Sequence, residues 1–190
     1  DQLYRSSELR PCEFEPPSGP SRRRVVLWGD SVGVQWFPAI EHASREVDAS
    51  LVVLTKSSCP IVDRPAFVGV GAHRREYVEC ARWRERAIEY IARQQPDVLI
   101  LGSAPYAGFS PQDWTEGTRS VLAAVRGSVG RTIVLAPTPV LAFNPVDCIA
   151  ALGHEATREQ RTAACGSARQ EVENVAVVDA LRAGIDAESG

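Results

Sequence analysis

Five short apolar runs, at 25–28, 51–54, 98–101, 132–136 and 175–178, punctuate the chain and are rich in Val, Leu and Ile. Compact apolar runs with no polar face are the pattern of strands buried on both sides. Between them the apolar positions recur at helical spacing, at roughly 32–47, 74–94, 111–126 and 157–173. This alternation predicts a parallel sheet with right-handed crossovers and helices on both faces. The expected class is α/β: a three-layer α/β/α sandwich on a flavodoxin-like parallel sheet with strand order 2-1-3-4-5. Residues 1–23 carry neither period, are rich in Pro, Ser and Arg, and read as a linker or a surface-packed arm. The domain is expected over 24–190.

In an open sheet of this kind all strands end on one edge, and ligands bind there. The first run ends in Gly29-Asp30-Ser31. Ser31 therefore leaves its strand at that edge and enters the first turn of a helix, with Pro38 confined to the helix's opening turns. Free N–H groups at such an N-terminus favour negative charge. Gly29 and Asp30 alone suit any turn after a strand, whereas a serine at a strand-to-helix switch is a candidate nucleophile. The loops at 56–60, 102–108 and 137–145 are expected to converge with Ser31 into one pocket.

A chain of 190 residues with 44% hydrophobic content supports one domain with a substantial core. The net charge of −3 removes nucleic acid and anionic membrane surfaces as default partners. Arg22, Arg23 and Arg24 read as a solvated strand entrance. Lys56 is the only lysine among many arginines, a compositional bias. No apolar run reaches the length that crosses a bilayer, and none has the shape of a signal peptide. Methionine is absent, position 1 included, so a processed or trimmed segment is expected. Gly69-Val70-Gly71 lacks the context of a dinucleotide site, and no Gly-x-Ser-x-Gly elbow points to an α/β-hydrolase. Trp28, Trp36, Trp83 and Trp114 suit core or rim packing, with a sugar-binding surface as the alternative for Trp36 or Tyr106. No cofactor and no metal are expected.

Several further segments accompany Gly29-Asp30-Ser31, which has Gln35 and Pro38 beyond it: Lys56-Ser57-Ser58-Cys59-Pro60, Cys80-Ala81-Arg82-Trp83-Arg84, Pro96-Asp97-Val98-Leu99-Ile100-Leu101, Pro137-Thr138-Pro139, and the paired Cys148 and Cys165. In this order and spacing the chain resembles the SGNH hydrolase and acyltransferase superfamily. More narrowly it resembles the extracytoplasmic SGNH domain that follows the membrane domain in bacterial family 3 acyltransferases. The resemblance implies the SGNH fold, with Ser31 as the nucleophile that carries an acyl group, acetyl above all, to a hydroxyl of a cell-envelope glycan or glycolipid. It further implies an acyl donor delivered by a fused or associated integral-membrane acyltransferase domain, an extracytoplasmic, membrane-tethered location, and no nucleic-acid partner. An SGNH esterase or deacetylase, or a non-catalytic glycan-binding domain on the same fold, is the alternative.

The same resemblance makes Asp30, Ser58, Ser103, Ala104 and Tyr106 the candidates for the pocket and oxyanion site. Ala104 stands where many members carry an asparagine that binds the oxyanion, a single donor worth about 3 kcal/mol. Ser31 N–H is one expected donor; Ser103 and an N–H of the 57–59 loop are alternatives for the second. A serine also needs a base. The superfamily's late Asp-x-x-His is absent here; His42, His73, His154 and Asp179 read as structural. Either that motif lies after Gly190, the favoured expectation, or this copy has lost catalysis. The chain alone is then expected to be nearly inactive.

Disulfides Cys59–Cys80 and Cys148–Cys165 are expected, neither pair having zinc-finger spacing. Each closes a loop of roughly 15–20 residues worth about 3 kcal/mol and points to an oxidising compartment, with buried thiols of a cytosolic protein as the alternative. Cys12 is left over, its partner expected beyond residue 190.

Overall fold

The computed structural model describes residues 4–106, 108–168 and 174–189, and the chain divides into two compact units, Asp1–Pro137 with Ala176–Gly190, and Thr138–Val175. The first unit is built on a five-stranded sheet. Its strands are β1 (Cys12–Phe14), β2 (Arg24–Gly29), β3 (Ser50–Thr55), β6 (Val98–Gly102) and β7 (Arg131–Val134), in the order β1-β3-β2-β6-β7. β2, β3, β6 and β7 are parallel, and β1 is antiparallel to β3. A small hairpin of β4 (Phe67–Val68) and β5 (Arg75–Glu76) stands apart from it.

Alternation along the central strands explains the layers, since successive side chains point to opposite faces. Val26, Trp28, Val52, Leu54, Leu99 and Leu101 pack in one cluster with Trp83, Ala87 and Ile91 of α2 (Val78–Gln94) and with Val121, Leu122 and Val125 of α3 (Pro111–Val125). Val25, Leu27, Leu51, Val53 and Ile100 form the opposite cluster, covered by Phe37 and Ile40 of α1 (Phe37–Glu46). Each such side chain, taken out of water, contributes about 1.5–3 kcal/mol. The continuous apolar runs are thus what a sheet covered on both faces requires.

Four expected strands, and their relative order 2-1-3-4, are present. The fifth is not: residues 175–178 open the helix Val175–Ser189 rather than a strand. Ala180 and Leu181, at the spacing that continues from Val177, pack on Trp114 of α3 and on Val62. Gly184 is the residue that lets the two helices close, because a Cβ there would lie 2.7 Å from the Thr115 carbonyl oxygen. The fifth strand is instead Cys12–Phe14, on the opposite edge. The segment around it is tied down: Ser50 Oγ donates to Glu15 at 2.7 Å, Lys56 Nζ to the Ser6 carbonyl at 2.6 Å, and Arg86 to the Ser7 carbonyl at 2.7 Å.

The helices begin and end where local chemistry directs. Pro38 sits in the first turn of α1, preceded by a 3-10 turn over Gly33–Trp36. Ser110 and Asp113 form a reciprocal capping box on α3, which starts with Pro111. α2 ends at Gln95 in the left-handed region, φ 46°, just before Pro96.

The second unit, taken by itself, holds α4 (Pro145–Ala151) and α5 (Arg158–Cys165), joined by the disulfide Cys148–Cys165. Asn144 caps α4 and Thr157 with Gln160 boxes α5. The helical period expected over 157–173 is present as α5; residues 169–173 lie outside those described. Among the described residues, no group of three or more His, Cys, Asp or Glu is placed to hold a metal ion, and no helix is long and apolar enough to cross a membrane.

Candidate active site

β2 stops where backbone must meet backbone. A Cβ on Gly29 would lie 2.5 Å, and one on Gly33 2.2 Å, from the carbonyl oxygen of Gly102 at the end of the neighbouring strand. A Cβ on Gly102 would in turn meet the Gly33 Cα at 3.1 Å. No side chain fits at such distances without moving the chain, so three glycines let the 30–34 turn sit directly on the end of β6.

The Asp30 carboxylate then locks the turn. It is buried; Oδ1 accepts from the N–H of Val32 at 2.9 Å and Gly33 at 3.0 Å, and Oδ2 from the N–H of Ala104 at 2.8 Å. Its backbone carbonyl accepts from Val34 N–H at 3.0 Å. A carboxylate is acceptor-only when ionised, so Asp30 in this arrangement joins the serine turn to the loop after β6 and donates nothing to an oxyanion. It also occupies the N–H of Ala104.

Ser31 is left on the rim, exposed, and among the described residues neither its N–H nor its hydroxyl is hydrogen-bonded. Ser103 stands beside this turn, and its hydroxyl oxygen accepts from Ile61 N–H at 2.8 Å. The oxygen is engaged while the hydroxyl proton is still available to donate.

The loop after β3 completes the edge. Lys56 N–H donates to the Gly29 carbonyl at 3.2 Å, extending the β2–β3 ladder. Its side chain is fully buried, 5.1 Å from the centre of the Tyr77 ring, and burial pulls the ammonium below its ordinary value against the opposing attraction of Glu79. Composition alone made this lysine a bias; its place in the fold makes it part of the loop's foundation. Ser58, at φ 52°, faces out and hydrogen-bonds the Tyr4 hydroxyl at 3.1 Å. The disulfide Cys59–Cys80 pins the loop to α2, and the buried Arg84 one turn on donates to the carbonyls of Pro60 at 3.3 Å and Arg64 at 3.2 Å. That turn of α2 is why Cys80 and Arg84 occur four residues apart.

Tyr106 reaches the β4–β5 hairpin, its hydroxyl accepting from Phe67 N–H at 2.6 Å and donating to the Phe67 carbonyl at 2.5 Å. Between the hairpin, the N-terminal arm and this ring lies an open cleft of about 530 Å³ that includes Ser58 and Tyr106 in its wall, together with His73. Ser31 is not among the residues that line it. Of the other histidines, His42 is exposed on α1 and His154 belongs to the Thr138–Val175 unit. Asp179 lies on the last helix, paired with Arg182 at 3.3 Å. Trp36 is 42% exposed, whereas Trp28, Trp83 and Trp114 are buried. Gly33, Gly102 and Arg84 are the structural residues that motif reading did not single out for these roles. The signal that points to them is the glycine at both Gly29 and Gly33, four residues apart on either side of the turn.

Comparison with known proteins agrees with this architecture. No curated protein matches the chain. Among solved structures, the periplasmic domain of a lipopolysaccharide acetyltransferase from Salmonella ser. Paratyphi A superposes with a TM-score of 0.56 at 18% identity. The match covers 71% of this chain and 52% of that one, so the chain spans about half the length of that structure, and at this identity the likeness is one of fold. The family model described as the SGNH domain fused to AT3 domains matches residues 1–189. With a match over nearly its whole length, this chain belongs to that SGNH domain family.

Proposed function

We infer that the domain is an SGNH-type serine O-acyltransferase unit that moves an acyl group, acetyl above all, onto a hydroxyl of a cell-envelope glycan or glycolipid. The observation that carries this reading is Ser31: exposed on the C-terminal rim of a parallel sheet, with hydroxyl and N–H both unengaged, on a turn that Asp30 and three glycines hold rigid. Rigid placement of a group that forms no internal bond is what positioning for reaction requires. In the proposed reaction Ser31 Oγ attacks the acyl carbonyl carbon while a base takes its proton, and the donor's leaving group departs with the bonding pair. The acceptor hydroxyl then attacks the acyl-serine, loses its proton to the same base and restores Ser31. The Ser31 N–H, with the Ser103 hydroxyl as second donor, faces the developing oxyanion.

We assign the base to an Asp-x-x-His pair of the parent protein outside these residues, and the acyl donor to its membrane acyltransferase domain, in keeping with a family fused to AT3 domains. The two disulfides and the likeness to a periplasmic domain support an extracytoplasmic setting, and the family's fusion to AT3 domains supports a membrane tether.

The test is acyl-serine trapping in the parent protein: with an acetyl donor, peptide mass analysis finds acetyl on Ser31. Ser31→Ala is expected to lower transfer on the order of a thousandfold or more. Undiminished transfer by that variant would end the serine mechanism. The 190-residue chain alone is expected to hydrolyse p-nitrophenyl acetate near background. A second reading, a non-catalytic glycan-binding domain, is favoured by one observation: Ala104 offers no side-chain donor and its N–H is taken by Asp30. Wild-type transfer with no acetyl detectable on Ser31, or no transfer at all, would favour it.

A further inference from the structure

We propose that the cleft beside Ser58 is the acceptor subsite and that it takes an anionic sugar, one bearing a carboxylate or a phosphate. Ser58 lies on the loop whose Lys56 N–H bonds the Gly29 carbonyl just before Ser31, and with Ser31 outside the lining, a glycan held there extends along this loop to the serine. As an acceptor subsite it rests on the acyl-transfer reading; as a binding site it stands alone. Arg5, His73 and Arg75 line the cleft together with Tyr4, Phe67 and Tyr106, and among the described residues no acidic side chain lines it. In a chain whose acidic residues exceed its Lys and Arg by three, 24 against 21, a cleft whose described wall holds two arginines and a histidine and no carboxylate departs from the average surface. Arg75 is committed to Glu79, at 2.8 and 3.1 Å. Arg5 and His73 have no side-chain partner among the described residues, and both are exposed.

The chemistry of this wall selects a sugar acid or sugar phosphate over a neutral sugar or a free apolar ligand. A guanidinium presents paired N–H donors that match the two oxygens of a carboxylate or phosphate. Aromatic faces with polar edges, as Tyr4 and Tyr106 offer, suit the apolar face of a sugar ring while leaving its hydroxyls wet. At about 530 Å³ the cleft lies within the size range of small-ligand sites. The Tyr106 hydroxyl, held by both backbone groups of Phe67, sets the ring in the wall before any ligand arrives.

The experiment is an NMR titration of the 190-residue chain with maltotriose, tri-galacturonate and a maltotriose carrying a terminal phosphate, at low and at raised ionic strength. Expected is binding of at least one anionic trisaccharide about tenfold tighter than maltotriose, weakened by salt, with the two anionic arms deciding between carboxylate and phosphate. Arg5→Gln, an exposed change that leaves the fold intact, is expected to weaken the anionic ligand about fivefold and to leave maltotriose unchanged; His73→Gln acts in the same direction. Ser31→Ala is expected to alter none of these affinities, so a failed serine mechanism and a failed subsite give different results. Equal binding of neutral and anionic sugars, no binding of either anionic sugar, or insensitivity to both substitutions overturns the proposal.

Discussion

The two disulfides close loops of similar length, with sequence separations of 21 and 17, in surroundings that share almost nothing. Cys59 and Cys80 are buried inside the main core, beside Trp83 and Tyr77, with Arg84 repeating the same loop-to-helix attachment through hydrogen bonds. Cys148 and Cys165 join two short helices in a unit where no described residue between 138 and 168 is buried. Val140, Phe143, Val146, Ile149 and Leu152 are all exposed there. A chain-entropy account gives both bridges about 3 kcal/mol, so any measured difference between them belongs to the native environment. The first region is held by packing, buried polar ties and a crosslink together; the second, taken alone, leans on its crosslink and helix caps.

Breaking the over-determined region at its tightest point gives the largest expected change. Asp30→Ala leaves the N–H groups of Val32, Gly33 and Ala104 without their acceptor. At about 1–3 kcal/mol for each unsatisfied buried group, less for those partly wet, a loss of about 4 kcal/mol is expected. Asp30→Asn keeps one acceptor oxygen and is expected to lose less. Urea unfolding followed by tryptophan fluorescence measures both. A cost below about 1 kcal/mol for Asp30→Ala would show the turn to be held by its glycines alone.

The disulfides themselves come level with it or just below. Cys59→Ala with Cys80→Ala is expected to cost about 4 kcal/mol, the crosslink plus a cavity in the core. Cys148→Ala with Cys165→Ala is expected to cost about 3 kcal/mol confined to its own unit. The probes separate the two cleanly, because Trp28, Trp36, Trp83 and Trp114 all lie in the first unit. The first double variant shifts the fluorescence midpoint; the second leaves it in place while hydrogen exchange in α4 and α5 accelerates. A second variant that moved the tryptophan midpoint as far as the first would refute the separation.

Alkaline titration reports on the first region alone for the same reason, since Tyr4, Tyr77, Tyr90 and Tyr106 all lie in it. Burial raises Tyr77 far above its ordinary value of 10, and burial with the neighbouring Glu13 charge pushes Tyr90 up to about 12. The unfolded chain ionises these phenols near 10 while the folded chain holds them neutral. Their contribution is therefore whole below pH 10 and is lost as pH rises through the folded values. Absorbance at 295 nm should show Tyr90 ionising late and Tyr77 later still, on unfolding. Both phenols ionising near 10 in the folded chain would contradict this.

What the sequence disclosed follows the same divide. Val25 to Trp28, Leu51 to Leu54 and Val98 to Leu101 are apolar on both faces, and burial on both faces leaves that mark in any single chain. The 175–178 run failed because four β-branched and small residues fit a strand and a helix equally, and the deciding positions, Ala180, Leu181 and Gly184, come later. Cys12–Phe14 was invisible for another reason: its residues are all exposed, and it pairs through backbone groups that carry no residue identity. At the site, Gly29-Asp30-Ser31 was legible as a motif, and both disulfide pairings are present in the structure. That Asp30 reaches 74 residues ahead to Ala104 N–H was not legible, because long-range pairing of a side chain with a backbone group has no spacing rule.

The smallest expected effect sharpens the comparison at the junction between the rigid edge and the cleft. Tyr106→Phe keeps the ring against Phe109, 4.6 Å between centres, and removes only the hydroxyl that both accepts from and donates to Phe67. Two partly wet hydrogen bonds are worth about 1–2 kcal/mol together. A global midpoint shift of that size would mean that the hairpin unfolds with the core. No global shift, with faster hydrogen exchange at Phe67 and Val68, would mean that the β4–β5 hairpin opens by itself. The second outcome is expected, because β4 and β5 are two residues each and pair only with one another, outside the main sheet. A hairpin that opens locally while Asp30 holds the serine turn would let the cleft admit a ligand without disturbing the nucleophile.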